Sequence, residues 1–596
     1  MKNALCLILF LIVINESKAQ KAMVYHFENA KDSTFFIKNI NPPQTTSDSA
    51  NALQILRGSV LTLHRQAFLE ASVDSFVAVD TFFHAHIHVG IRYEWAQLRN
   101  GNVPDAFLSQ VGFREKLFEN KAFIYSEIAD IEYKLLTYAE DNGYPFAKVW
   151  LDSLQINEGK LSAALMMQTG EVFRFDTLNT EGLARVSPKF LQNYLSLKKG
   201  ELFNRNKVLS ISQRIAELPF LQERKKPLVK FLEDRTAVLY FFLDPKKASK
   251  WDFMVGVLPN TTPSGDQKFT ITFNGNVDFH NLLGLGERIF ANFENLRPES
   301  PRVNLKLAYP YILNLPFGFD GSFDLYKRDS AYLETHLNLG AQYLLGGNDY
   351  IKLFWNQYNS NNLIINALQV IANKKLPNTL DVATNTVGLE FSKQRLDYRF
   401  NPRRGWSILL RGGAGVREVS KNSDILNLKD PNDATYNFAK LYDTVSVKSF
   451  QYILDSKLEY YIPFLKRATI KLGLTSGLKF TSAPISLNEQ YRLGGNRILR
   501  GFDEESVFAT RYVIGTLEYR LLIGRNSYFY LFGDAGYVEN VTRTSEIYDK
   551  PMGFGAGLTF ETGVGLFGVS AAVGKQQDNA FDFRNVKVHF GYVSLF

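Results

Sequence analysis

The feature that most constrains this chain is a sustained alternation of polarity over long, strand-length segments in its C-terminal part. In ATIKLGLTSGLKF (468–480), Ile470, Leu472, Leu474, Leu478 and Phe480 share one face, and Lys471, Gly473, Thr475, Gly477 and Lys479 share the other. GTLEYRLLI (515–523) sets Leu517, Tyr519 and Leu521 against Thr516, Glu518, Arg520 and Leu522. Successive side chains of a strand point to opposite sides, so such segments build a sheet with one apolar and one polar face. Soluble sandwiches alternate too, and the start of the chain separates the two cases. Lys2, the apolar run Ala4–Ile14 and the small-x-small triplet Ser17-Lys18-Ala19 read as a secretory signal peptide over 1–19. Beyond it no apolar run approaches the roughly 18 residues of a membrane-spanning helix. Aromatic residues nevertheless make up 14% of the chain. Exported, aromatic-rich and without spanning helices is the expectation for a transmembrane antiparallel β-barrel, in which every backbone polar group within the bilayer is paired. At roughly 20 residues per strand and turn, the region 247–596 holds about 16 strands.

Composition removes several other functions. The single cysteine, Cys6, lies inside the signal, so neither a disulfide framework nor a cysteine metal site is available after cleavage. The formal charge of +8 is spread without a polybasic block, which reads as lumen and loop charge and argues against nucleic acid. His280, His336 and His589 are the only histidines of the barrel region to serve as a general base, and none lies beside a G-x-S-x-G nucleophile. The glycines of GFGAGLTFETG (553–563) imitate a phosphate loop with no helix after them. The expectation is no enzyme and no cofactor.

The N-terminal part repeats about every 80 residues. ASVDSF (71–76) recurs as AKVWLDSL (147–154), VPDAFLSQ (103–110) as VSPKFLQN (186–193), and KLFEN (116–120) as ELFNRN (201–206). One unit reads β-α-α-β-β. After the strand EVFRFDTL, Ser187 caps a helix with Pro188 at its first position; Asn204 caps a second, with Val208, Ile211, Ile215 and Leu218 at helical spacing. The expected units span 20–89 (degenerate, with a helix over 51–67), 90–169 and 170–246. His84, His86 and His88 alternate along one strand face; they point the same way without an enclosing further ligand, so the row reads as a solvated face and no metal is expected.

Three further stretches carry a resemblance. RILRGF (497–502), YLFGDAGYV (530–538) and RFNPRRGW (399–406), together with the repeat, resemble the BamA/TamA-like outer-membrane assembly factors: POTRA domains in the periplasm followed by a surface-antigen-type β-barrel. Three units where BamA-type members carry five place the chain closer to TamA-like members. The resemblance implies that the loop bearing Arg500, Gly501 and Phe502 folds into the barrel lumen. There Arg500 meets Asp534 of the strand motif Phe532, Asp534, Gly536, with Glu518 as a second acceptor. The chain end, VKVHFGYVSLF, places Phe590, Tyr592 and Phe596 on one face, and it resembles the C-terminal strand signal of outer-membrane barrels.

The expected function is assembly or insertion of outer-membrane proteins. The first strand, near Trp251–Val257, has to pair with the last, and Gly591 within the last strand weakens or kinks that seam. A seam opened sideways offers its edge to an incoming strand. Expected partners are unfolded outer-membrane clients, outer-membrane lipid and an accessory or periplasm-spanning assembly protein. The alternative is a two-partner-type secretion pore that exports a dedicated client. Such pores carry two POTRA units and an N-terminal plug helix, and no clear plug helix is legible between residues 20 and 45.

Overall fold

The computed structural model describes residues 21–246, 248–259, 269–295, 300–328, 330–346, 349–398, 401–433, 435–495, 498–503, 505–543, 545–562, 565–577 and 579–593. Residues 1–20, which hold the expected signal peptide and Cys6, together with Arg497 and Phe596, lie outside them. The chain divides into two compact bodies. One holds the first two repeat units, and the other holds most of the third unit with the C-terminal sheet.

Each N-terminal unit has the order β-α-α-β-β. In the first, the strand Lys21–His26 is followed by the helices Ala30–Ile40 and Ser49–Arg65 and the strands Ser72–Val79 and Phe82–His88, with a two-residue strand, Thr45–Thr46, between the helices. The helix Ala30–Ile40 occupies the segment where the sequence shows no clear helix. Its cap is local: the Asn29 side chain accepts a hydrogen bond from the Asp32 amide at 2.9 Å. Phe36 buries this helix against Leu56, Leu63, Phe83 and Ile87, which makes it part of the unit's own core. The second unit runs Glu94–Asn100, Asp105–Val111, Tyr125–Asp141, Lys148–Asn157 and Lys160–Gln168 around Trp95, Leu98, Ile128 and Leu135. The third runs Arg174–Glu181, Pro188–Tyr194, Arg205–Ala216, Leu221–Phe231 and Thr236–Pro245. Ser187 caps the helix at Pro188 by accepting from the Phe190 amide at 3.4 Å. The repeat extends to fine detail. An isolated bridge joins Glu94 to Ala122 in the second unit and Arg174 to Leu202 in the third.

From Lys250 onward the chain forms one antiparallel sheet in sequential order. Among the described residues it has 17 strands by hydrogen bonding; Glu546–Asp549 and Met552–Thr562 both pair with Tyr528–Val541, so they are one strand interrupted at Pro551, and 16 spanning strands result. A proline cannot donate to the ladder, and its carbonyl instead accepts from the Gly536 amide at 2.8 Å. The polarity of the sheet is inverted relative to a soluble protein. Leu389 is 60% exposed and Phe450 68%, whereas Arg417 is fully buried and Glu518 and Asp534 are 4% and 3% exposed. An apolar outside and a charged inside fit a barrel in a bilayer.

The sheet also curls. Asp503 binds Lys587 on the last strand at 2.9 Å, and Glu505, two residues on, binds Arg302 on the fourth strand at 3.5 Å. Those strands are a dozen places apart, which in a flat sheet means roughly 55–60 Å. Two residues of chain reach only about 7 Å. The polar face therefore encloses the loop that carries these acids. Among the described residues no ladder joins Lys250–Pro259 to Lys587–Val593, and these remain the two edges of the sheet. The expected weak point, Gly591, lies on the last strand opposite Gly568, so two facing glycines thin the contact of that strand with its inner neighbour.

Candidate functional site: a braced loop inside the sheet

The loop between the strands Ala468–Thr481 and Arg511–Leu522 enters the enclosed face and forms its own hairpin, Tyr491–Leu493 against Val507–Ala509. Its tip makes a tight reversal. Leu499 has φ 57° and Gly501 φ 97°, left-handed values that presents Arg500 to the wall between them. The loop lies directly on sheet backbone. A Cβ at Gly553 would stand 1.9 Å from the Arg500 carbonyl oxygen, and one at Gly501 would stand 2.7 Å from the Val573 carbonyl. Both positions need glycine for that approach. The GFGAG run, which imitates a phosphate loop in the sequence, supplies the seat of the arginine turn.

Arg500 meets both expected acceptors. Its Nε donates to Asp534 Oδ2 at 2.9 Å, its Nη2 to Asp534 Oδ1 at 2.8 Å, and its backbone amide to Asp534 Oδ2 at 3.0 Å. Nη1 donates to Glu518 Oε2 at 3.0 Å. Thr516 holds Asp534 Oδ1 at 2.9 Å, and Arg520 Nε donates to the other oxygen of Glu518 at 2.6 Å. Arg520 in turn reaches Asn401 Oδ1 at 3.3 Å, in the turn of RFNPRRGW. The result is an alternating chain, Asp534–Arg500–Glu518–Arg520, with two positive and two negative charges that cancel. The guanidinium of Arg500 lies 3.6 Å from the centroid of the Phe532 ring, which adds a cation–π contact to the same group. Phe502 is buried with Leu493, Leu499 and Val507 in a small apolar cluster, its ring against Gly574 of the sheet. Gly536 faces Ile514 across the ladder.

The structure adds anchors that the sequence reading missed. Arg417 grips Glu489 with two hydrogen bonds, at 2.6 and 2.8 Å. Arg492 Nη2 donates to Glu334 at 2.5 Å, and the Tyr491 hydroxyl donates to Asp455 at 2.7 Å. The Asn488 amide donates to Ser360 Oγ at 2.7 Å and to the Leu380 carbonyl at 2.8 Å. One local signal was available: Ser486 and Glu489 form a capping box, so the sequence marks a turn there. Its partner Arg417 lies on a distant strand and carries no such mark. Charge complementarity in a poorly solvated space holds the Arg417 and Arg492 contacts, where the paired geometry suits arginine rather than lysine.

Other expected site residues fall elsewhere. Phe590, Gly591 and Tyr592 lie on the last strand opposite Val569, Gly568 and Phe567. The histidine row lies in the first unit: His26 Nε2 is 2.9 Å from His84 Nδ1, and the His26 and His86 rings stack with centroids 4.5 Å apart.

Within its own body, the third unit seats on turns of the sheet. The Ser187 amide donates to the Gly284 carbonyl at 2.8 Å, and Asn193 donates to the Asn314 carbonyl at 3.0 Å. The Phe190 ring packs edge-on to Tyr311 with centroids 5.7 Å apart, and a Cβ at Gly286 would lie 2.1 Å from that ring.

The Omp85 superfamily domain matches residues 281–592, more than half of the chain. Among solved structures, the chain is similar to a BamA from Haemophilus ducreyi lacking POTRA domains 1–3, at 15% identity, with 84% of this chain and 98% of that one covered and a TM-score of 0.43. It is similar to CdiB from Escherichia coli at 13% identity, with 91% and 96% covered and a TM-score of 0.48. The Haemophilus influenzae BamA POTRA3–5 structure aligns at 15% identity over 39% of this chain and all of that one, with a TM-score of 0.27. No curated protein matches. The sequential antiparallel sheet, the N-terminal β-α-α-β-β units and the domain match lead to one conclusion: the chain belongs to the Omp85 superfamily, outer-membrane proteins that insert or secrete other polypeptides.

Proposed function

We propose that this protein inserts outer-membrane proteins by offering a free strand edge to them, with its N-terminal units receiving clients in the periplasm. The observation that carries this reading is how the edges of the sheet are held. The last strand is tied to the enclosed loop through Lys587–Asp503. The loop is tied in turn to the strands around it by Arg500, Glu489 and Arg492. The Lys587–Asp503 ion pair is part-exposed and contributes little alone, but the loop also lies on the neighbouring strand, with Gly501 against Val573 and the Phe502 ring against Gly574, so the last strand's place does not rest on the first strand alone. The first and last strands can separate while the rest of the wall stays braced, and the exposed backbone then pairs with an incoming strand. No bond chemistry is required, and no catalytic residue is assigned.

The N-terminal units offer edges of their own. In the second unit, Lys148–Asn157 pairs on one side only and leaves Trp150, Leu154 and Ile156 at 38%, 54% and 55% exposure. An unpaired edge with apolar side chains suits an extended, unfolded segment. Export of a client through the enclosed face is the alternative. It demands more of the molecule, because every anchor of the loop would have to be released together.

The test exploits the single cysteine, Cys6, which lies in the expected signal peptide and leaves the rest of the chain free of thiols. One cysteine placed within Trp251–Val257 and one in the last strand allow a disulfide to lock the two edges. In proteoliposomes, the reduced protein accelerates folding of a urea-unfolded barrel client, and the oxidised form loses that effect. Equal acceleration by the locked and reduced forms contradicts insertion through the seam.

A further inference from the structure

The first unit carries a cluster that the proposed function does not use. The sequence reading sets the row His84, His86, His88 aside because side chains on one strand face lack an enclosing ligand. The fold supplies two from other strands. Glu28 follows the strand Lys21–His26, and Asp74 lies on Ser72–Val79. These strands flank Phe82–His88 on either side. One ligand atom from each of Glu28, Asp74 and His88 lies within 4.8 Å of the others.

We propose that Glu28, Asp74 and His88 form a binding site for a divalent transition-metal ion of the Zn²⁺ class.

Three observations carry it. His88 Nδ1 stands 3.4 Å from Glu28 Oε1. Ligand atoms about 2.0–2.2 Å from a tetrahedral Zn²⁺ are about 3.3–3.5 Å apart, so this spacing already matches one edge of the coordination shell. Asp74 reaches the group because it is the extra residue of a β-bulge: Val73 pairs with Ile87 and Ser75 with His86, and Asp74 has no ladder partner between them. Bulges re-aim a side chain in this way. Ser72 Oγ donates to Asp74 Oδ1 at 2.7 Å, which orients the carboxylate as outer-shell partners of metal ligands do. The third observation is charge. Two carboxylates beside one imidazole leave a net negative charge whether the ring is neutral or protonated, and a dication with a neutral imidazole balances it. An exposed His88–Glu28 ion pair by itself contributes little and gives Asp74 no role. The mixed nitrogen and oxygen donors select a borderline transition metal over Ca²⁺ or Mg²⁺, and the exposed side leaves the fourth position to water. A bound ion would tie the edge strand Ser72–Val79 across its neighbour to the start of the first helix.

The test uses the mature full-length chain in detergent, purified without a histidine tag. Zn²⁺ is titrated in competition with a chromophoric chelator. One equivalent binds, and Glu28→Gln, Asp74→Asn and His88→Gln each weaken binding by at least about tenfold. The variant His84→Gln/His86→Gln binds as the parent does. Electron paramagnetic resonance of the Cu²⁺-loaded protein reports one coordinated imidazole. The three ligands lie outside the unit's apolar core, and the circular dichroism spectrum of each variant verifies its fold. Absence of stoichiometric Zn²⁺ binding overturns the proposal. So does binding that survives Asp74→Asn but is lost in His84→Gln/His86→Gln, or a Cu²⁺ spectrum with two or more imidazoles, since either assigns the metal to the histidine row instead.

Discussion

Arg500→Ala tests the brace at its centre. The wild-type side chain donates three hydrogen bonds to two carboxylates, and both acids are almost fully buried. After the substitution Asp534 keeps Thr516, and Glu518 keeps Arg520. The charge chain loses one of its two cations, so one negative charge remains uncompensated in a poorly solvated space. Breaking one partner of a buried ion pair costs about 3–5 kcal/mol, and most of that cost is the stranded charge. Asp534→Ala strands the opposite charge and costs a similar amount. In Arg500→Ala/Asp534→Ala neither charge is stranded at that link, so the losses do not add, and the coupling between the two sites is about 2–3 kcal/mol. Arg500→Lys recovers only part, because an ammonium cannot make the paired contact with Asp534 while also reaching Glu518. The assay is equilibrium urea unfolding of the lipid-folded protein, followed by proteolysis of the 482–510 loop and by tryptophan fluorescence. Single-variant losses that add within about 0.5 kcal/mol in the double variant refute the reasoning.

Three other outcomes follow from the same geometry. Gly553→Val sets a side chain where the Arg500 carbonyl lies, so it lifts the loop tip and makes 482–510 sensitive to protease without touching a charged group. Arg417→Met destabilises by about 3–5 kcal/mol, whereas Arg417→Met/Glu489→Leu removes the stranded charge and leaves mainly the cost of the Ser486 amide that Glu489 caps, about 1–3 kcal/mol. Phe190→Ala removes the ring that seats the third unit against Tyr311 and costs about 3–5 kcal/mol of that contact, read as raised conductance of the protein in planar bilayers.

What could be read in the sequence depended on whether a feature was local or repeated. Alternation along Ala468–Thr481 shows a two-faced strand because period 2 is written in neighbouring residues. The unit order was legible from caps such as Ser187 and from its recurrence down the chain. The Arg500–Asp534 contact came from resemblance to a family, since nothing local ties residues 34 positions apart. The helix Ala30–Ile40 was legible in principle, since Phe36 and Ile40 stand at helical spacing and Asn29 caps it toward Asp32; its shortness and the exposed Ile37 make it hard to tell from a strand. Arg417 and Glu489 escaped notice because strand order, not sequence, brings them together. The role of Gly553 was not legible for a related reason: the loop that needs this glycine is distant in the chain. The grouping of Glu28 and Asp74 around His88 depends on sheet order and on a bulge, and neither is visible in the row of histidines alone.

Under the proposed function, this member of the Omp85 superfamily acts on outer-membrane barrels generally, not on one exported client. Depletion of the protein followed by quantitative proteomics of the outer membrane and of the culture medium tests it most directly. Insertion through the seam predicts a fall in several unrelated barrel proteins together, with their unfolded forms held in the periplasm. Unchanged levels of every other barrel, with loss of a single secreted protein from the medium, would contradict it.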